Sequence, residues 1–189
     1  MDVIKNKQIL FFLLLSIFIC SCQNRELKNQ MQEFCSSEIN LPLDDMLLLS
    51  STDSTICHDI SSYDYVMVVH IDSISCTPCV IKSLCAWNSY KKLEKSKKVK
   101  FVFIFSVNNQ VVNEIKNDKD IGVGYDLYID SLNIFVKKNP QVGVNRLFHR
   151  FMIDKKGKVV LVGDPSCNDK VEKLFFSILK DSSKHQQIL

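Results

Sequence analysis

Tyr65–Asp72 (YVMVVHID) runs on through Ser75-Cys76-Thr77-Pro78-Cys79 into Val80–Leu93 (VIKSLCAWNSYKKL). The first piece is a near-continuous apolar run with β-branched bias, the pattern of a central strand buried on both faces. The last piece carries Val80, Leu84, Trp87, Tyr90 and Leu93 at spacings of four, three, three and three, the stripe of an amphipathic helix. The order is therefore strand, Cys-x-x-Cys, helix. Two cysteines three apart at a helix start can close a small disulfide ring and reopen it. The first thiol sits where unpaired N–H groups and the positive end of the helix dipole favour an anion, and the thiolate is the nucleophile. Pro78 is tolerated in a first helical turn and pre-sets its backbone.

Other uses of the motif fit less well. Zinc takes four ligands, and no second Cys-x-x-Cys or His-x-x-His lies downstream. Covalent haem attachment needs His directly after the second cysteine, where this chain has Val80. A static structural disulfide stays open as an alternative.

Upstream, Lys5 and Lys7 precede the apolar run Ile9–Ile19 (ILFFLLLSIFI). Eleven residues are too few to span a bilayer as a helix and suit the core of an export signal. The run ends in Ile19-Cys20-Ser21-Cys22, which resembles the lipobox of bacterial lipoproteins and implies a mature N-terminus at a lipid-carrying Cys22. Loss of residues 1–21 removes Lys5, Lys7 and Asp2 and lowers the formal charge from +3 to +2. Of the eight cysteines, Cys35, Cys57, Cys76, Cys79, Cys85 and Cys167 then remain unmodified, in a compartment where disulfides persist. The mild charge carries no basic stripe and argues against nucleic acid.

The 189 residues suffice for one domain with a core. We read 1–21 as a signal peptide, 22–60 as a tether and N-terminal extension, 61–182 as the folded domain and 183–189 as a tail. Within the extension, Met46–Leu49 suggests a short strand or hairpin. The adjacent Cys57-His58 pair points to opposite faces of an extended chain and reads as structural. Phe101–Phe105 is a second buried strand, parallel to the first through a helical crossover. Val111–Asn117 suggests a short helix. Tyr125–Asp130 is a further strand, after which Asp130 or Ser131 caps a helix through Val136. Asn139–Gly143 reads as a loop. Leu147–Ile153 and Lys158–Val162 read as a hairpin closed by Asp154-Lys-Lys-Gly157. Asn168 or Asp169 caps a final helix with Val171, Leu174, Phe175, Ile178 and Leu179 on its apolar face, and Ser182–Leu189 reads as a frayed tail.

This order, with Cys76-Thr-Pro-Cys79 and Phe151-Met-Ile-Asp154-Lys-Lys-Gly157-Lys-Val-Val160, resembles the thioredoxin-like α/β/α sandwich, and more narrowly the TlpA-like, membrane-anchored thiol–disulfide oxidoreductases of bacteria. The resemblance covers about Tyr65 to Lys180. It implies a central mixed sheet, Cys76 as the attacking and Cys79 as the resolving cysteine of a redox-active pair, and no cofactor. It also implies disulfide-containing envelope proteins as partners, an electron donor the sequence does not name, a membrane attachment through the lipid, and a monomer. The Pro of the dipeptide is placed as in thioredoxin and leans towards reduction. Six residues before the first cysteine, where thioredoxin carries a buried acid, stands His70, an imidazole suited to proton transfer near neutrality. Asp72 is a second candidate for that role, and His149 a residue that can approach the dithiol.

Two positions depart from the family. Ser75 stands where Trp is usual, and Asn145–Phe151 has no proline where the family has a cis-proline before the hairpin. A cis bond at a non-proline residue costs about 3 kcal/mol, which predicts an all-trans loop. These departures keep a redox-inactive thioredoxin-like binding lipoprotein open as a second function. Copper delivery, with Cys76, Cys79 and a histidine as soft ligands, is a third.

Overall fold

The computed structural model describes residues 25–50, 59–72, 84, 86–107, 113 and 125–185. Cys22, Cys57, His58, Cys76, Cys79, Cys85 and the remainder of Val111–Asn117 lie outside the described residues. The chain forms two compact units, Met1–Ser36 and Ser37–Leu189. In the first, residues 25–36 are helical (α1).

The second unit is built on a six-stranded mixed sheet. Its strands are β1 (Leu47–Ser50), β2 (Tyr65–Asp72), β3 (Val99–Ser106), β4 (Asp126–Ile129), β5 (Arg150–Asp154) and β6 (Val159–Val162), in the spatial order β1-β4-β3-β2-β5-β6. β2, β3 and β4 are parallel, whereas β5 runs antiparallel to both β2 and β6, and β1 antiparallel to β4. Three parallel strands beside an antiparallel hairpin and a C-terminal helix form the expected thioredoxin-like arrangement. β2 begins and ends where its sequence predicts, with its six inner residues buried. β1 takes the Met46–Leu49 piece and extends the sheet at its β4 edge.

Alternation divides the sheet into two faces. Met67, Val69 and Ile71 of β2 and Phe101, Phe103 and Phe105 of β3 pack with Leu84, Trp87, Tyr90, Phe175 and Leu179. This face therefore receives the segment after β2 and the last helix, α5 (Asp169–His185). Leu84, Trp87 and Tyr90 are buried as the helical stripe requires. The described part of that segment is a 3₁₀ turn, Ala86–Tyr90, followed by α2 (Lys91–Lys95), and not one continuous α-helix. The opposite face, with Val66, Val68 and His70, receives α3 (Ile134–Lys138), whose Phe135 ring lies 5.5 Å from that of His70.

Asp130 caps α3 as expected: its carboxylate accepts the N–H groups of Ile134 and Phe135 at 2.7 and 2.8 Å. Asn168 caps α5 by accepting from Lys170 N–H at 3.0 Å. The hairpin closes at Gly157, whose φ of +77° is readily open only to glycine and at which an added Cβ would stand 3.0 Å from Ile39 O.

Four expectations are corrected. Asn139–Gly143 is not a loop: Pro140 opens a single helical turn, α4 (Pro140–Gly143), while buried Asn139 is bonded through both side-chain atoms to the backbone of Asn40. The β5 strand starts at Arg150, because Asn145 accepts the N–H of Leu147 and turns Arg146–His149 into a 3₁₀ helix. Leu174 is 53 % exposed, and the Phe176 ring stacks on Tyr90 at 6.2 Å instead. α5 continues through the start of the expected tail to His185.

Candidate functional site

β2 delivers His70 and Asp72 to its C-terminal end, directly before the segment that contains Cys76 and Cys79. Alternation turns His70 away from the aromatic core and into the opposite layer, where it is 3 % exposed. Three elements close around it. From β3, Ser106 lies within hydrogen-bonding distance, Oγ to His70 Nε2 at 2.9 Å. This follows from the register, which sets His70 opposite Ile104 and so makes Ser106 its diagonal neighbour on the same face. From the 3₁₀ turn before β5, His149 presents its ring at 4.7 Å, edge to face. From α3 comes Phe135. His70 Nδ1 is buried and has no hydrogen-bond partner among the described residues.

Charges frame this pocket. Asp72 pairs with Arg146 at 3.0 Å, and Arg150 with Asp164 at 2.8 Å. Burial pushes the His70 imidazole down to about 4. Repulsion from His149 acts in the same direction, and Asp72 opposes them. His149 is also pushed down, by its own burial first and by Arg146 and Arg150, again against Asp72. Both rings are therefore neutral at physiological pH, and a neutral imidazole has one nitrogen free to take a proton.

Of the residues singled out from the sequence, the structure brings together His70 and His149, with Asp72 contributing charge to both and Arg146 to His149. Cys22, Cys76 and Cys79 lie outside the described residues. Cys35 and Cys167 are exposed free thiols. Sequence reading missed Ser106. A serine closing an apolar run reads locally as the end of a strand, and only the β2–β3 register reveals its partner. The Asn145–Phe151 stretch is trans throughout, as its lack of proline predicts. No group of three or more His, Cys, Asp or Glu side chains able to hold a metal occurs among the described residues. Nor is any helix among them long and apolar enough to cross a membrane.

No protein-family model and no curated protein matches the sequence. Among solved structures, the chain is similar to an uncharacterized thioredoxin-like protein from Porphyromonas gingivalis, at 17% identity and a TM-score of 0.42, covering 65% of this chain and 82% of that one. A thioredoxin-like protein from Bacteroides caccae shares 14% identity at a TM-score of 0.46, over 84% of this chain and 55% of that one. A candidate thiol:disulfide interchange protein DsbE from Chlorobium tepidum shares 18% identity at a TM-score of 0.43, over 64% and 83%. The fold is thioredoxin-like by its own strand order and pairing.

Proposed function

We propose that this chain is a thiol–disulfide oxidoreductase of the bacterial cell envelope, facing the periplasm and held to a membrane by a lipid on Cys22, with Cys76 attacking and Cys79 resolving. The observation that carries this reading is the buried His70, its Nδ1 without a partner among the described residues, at the end of the strand that leads into Cys-x-x-Cys. Asp72 closes that strand four residues before Cys76, and a span of four residues reaches at most about 14 Å.

The chemistry is an exchange of sulfur partners. Cys76 thiolate attacks one sulfur of a disulfide in an envelope protein. A Cys76–partner bond forms, and the partner's other sulfur leaves as thiolate. Cys79 then attacks the Cys76 sulfur. Its S–H proton passes by way of His70 Nδ1 to the departing thiolate, because a ring pushed down to about 4 does not retain it; the Cys76–Cys79 bond forms, and the partner departs with both sulfurs reduced. Two electrons have moved from the pair to the partner, and a dithiol donor in the envelope must return them. The same steps in reverse oxidise a partner. The acceptor form of His70 is available at any pH well above about 4.

Replacement of Cys79 by Ala tests this directly. Cys76 can still attack but nothing resolves the product, so mixed disulfides with envelope proteins should accumulate on non-reducing gels and vanish on reduction. The Cys76→Ala, Cys79→Ala double variant should trap none. Absence of trapped species, together with a wild-type pair that resists strong dithiol, would favour the second reading, a redox-inactive binding lipoprotein. Ser75 and the proline-free Asn145–Phe151 stretch are the features that favour that alternative.

A further inference from the structure

His70 has two ring nitrogens with different surroundings. Nε2 faces Ser106 Oγ at 2.9 Å, and Nδ1 is buried with no partner among the described residues. Two neutral tautomers are open to such a ring. In one, the Ser106 hydroxyl donates to Nε2, and Nδ1 carries a buried N–H with no acceptor. In the other, Nε2–H donates to Ser106 Oγ, and Nδ1 is a bare lone pair. A buried N–H without an acceptor is rarer and less well tolerated than an under-used acceptor. The pocket therefore selects between them.

We propose that Ser106 is a positioning residue: with no acceptor for an Nδ1–H among the described residues, His70 keeps its proton on Nε2, Ser106 Oγ accepts it, and the Nδ1 lone pair is left uncommitted as a hydrogen-bond acceptor. The role of that acceptor in thiol chemistry rests on the function proposed above; the tautomer does not. The charged and titratable groups around the ring leave the assignment in place. On β2, Asp72 is engaged with Arg146 of the 3₁₀ turn. On β5, Arg150 is engaged with Asp164. At the start of α3, Asp130 is committed to the N–H groups of Ile134 and Phe135. His149 meets His70 edge to face and is itself held below its ordinary range by burial.

The test is ¹⁵N–¹H correlation spectroscopy of the full chain with labelled histidine, read between pH 8 and pH 5. Nitrogen shifts distinguish protonated from bare ring nitrogens for each tautomer. The wild type should show His70 protonated at Nε2 and bare at Nδ1. Ser106→Ala should lower the ratio of the Nε2–H to the Nδ1–H form, by about twofold to fivefold, because both tautomers lose a bond to the hydroxyl but only the Nε2–H form is left with an orphaned N–H there. Ser106→Thr keeps a hydroxyl on a residue that strands accept and should restore the ratio. Wild-type His70 protonated at Nδ1, or a ratio indifferent to Ser106→Ala in a folded protein, would overturn the assignment. The pH profile of disulfide exchange, measured on the same variants, separates the two claims. If exchange is absent in every variant while the tautomer ratio still moves, the redox function fails and the positioning role stands. If exchange proceeds and the ratio does not move, the reverse holds.

Discussion

Acid should destabilise this protein through His70, and the size of the effect can be worked from its burial. An unfolded histidine titrates near 6.5, and the folded ring is pushed down to about 4. As pH falls through 6.5 the unfolded chain binds a proton that the folded chain refuses, so stability is lost over the window from 6.5 to about 4 and is intact above it. Linkage over that shift gives about 2.5 kcal/mol lost between pH 7.5 and pH 4.5. The ring is almost wholly shielded, so solvent screening leaves most of this in place. The perturbation is His70→Gln, which cannot titrate. Urea denaturation of wild type and variant at both pH values isolates the His70 contribution, because every other titrating group, His149 included, is common to the two proteins. The wild type should lose about 2–3 kcal/mol more than the variant on acidification. His149→Phe should give an intermediate loss, since removing a neighbour that repels the His70 cation lets His70 titrate higher. Equal acid sensitivity in wild type and His70→Gln would refute the claim that His70 is buried and neutral.

Other perturbations separate structural from chemical roles. Lys100 is buried between Glu94 and Asp126 at 2.7 and 2.8 Å, and Lys100→Met would leave two carboxylates without their cation. That should cost about 3–5 kcal/mol in chemical denaturation, and a loss below 1 kcal/mol would show the triad to be dispensable. Asn139 is fully buried and its side chain bonds to Asn40 N, Asn40 O and Phe135 O, each at 2.8 Å. Asn139→Ala should cost about 2–4 kcal/mol, with faster amide exchange at Asn40 as the local sign. On the chemical side, Cys79→Ala should trap envelope partners as mixed disulfides, whereas Lys100→Met should leave any thiol exchange by the folded fraction unchanged.

The strands were legible because apolar runs with β-branched bias can be buried only inside a sheet, and β2 matches its expected bounds residue for residue. Legibility failed where a contact distant in sequence decides the local structure. Asn139 is held by Asn40, 99 residues away, and that anchor leaves Pro140 free to open a helical turn where a loop was expected. Leu147 and Phe148 look like strand on apolarity alone. The Asn145 side chain instead turns them into a 3₁₀ helix, with Leu147 outside and Phe148 inside. That correction matters for the site, because it carries His149 on a turn that leans over His70 and not on a strand face. His70 itself could be found by counting back from Cys76. Its chemical state could not, since Ser106 and His149 reach it only through strand register and the turn.

The sheet face that carries His70 also holds the other buried ionic cluster, and the two are built differently. Lys100 begins that cluster at the start of β3, four residues before Ile104, the register partner of His70, or about 13 Å along the strand. There the cation has a carboxylate on either side. Burial alone would lower the Lys100 ammonium, yet hydrogen bonds to Asp126 and Glu94 raise it above the ordinary lysine range. Packing and ion pairing hold the Lys100 ammonium in place. At the other end of the same strands, Nδ1 of His70 has no partner among the described residues, at a cost on the order of 1–3 kcal/mol. A leucine or valine at position 70 would satisfy the strand pattern without that cost. The fold therefore has the means to neutralise a buried polar group on this face and does not use it at the end that leads into Cys76 and Cys79. A lone pair with no partner among the described residues gains nothing for stability there and is placed to accept a hydrogen bond, which is why the His70 pocket, more than the fold, supports a chemical role for this chain.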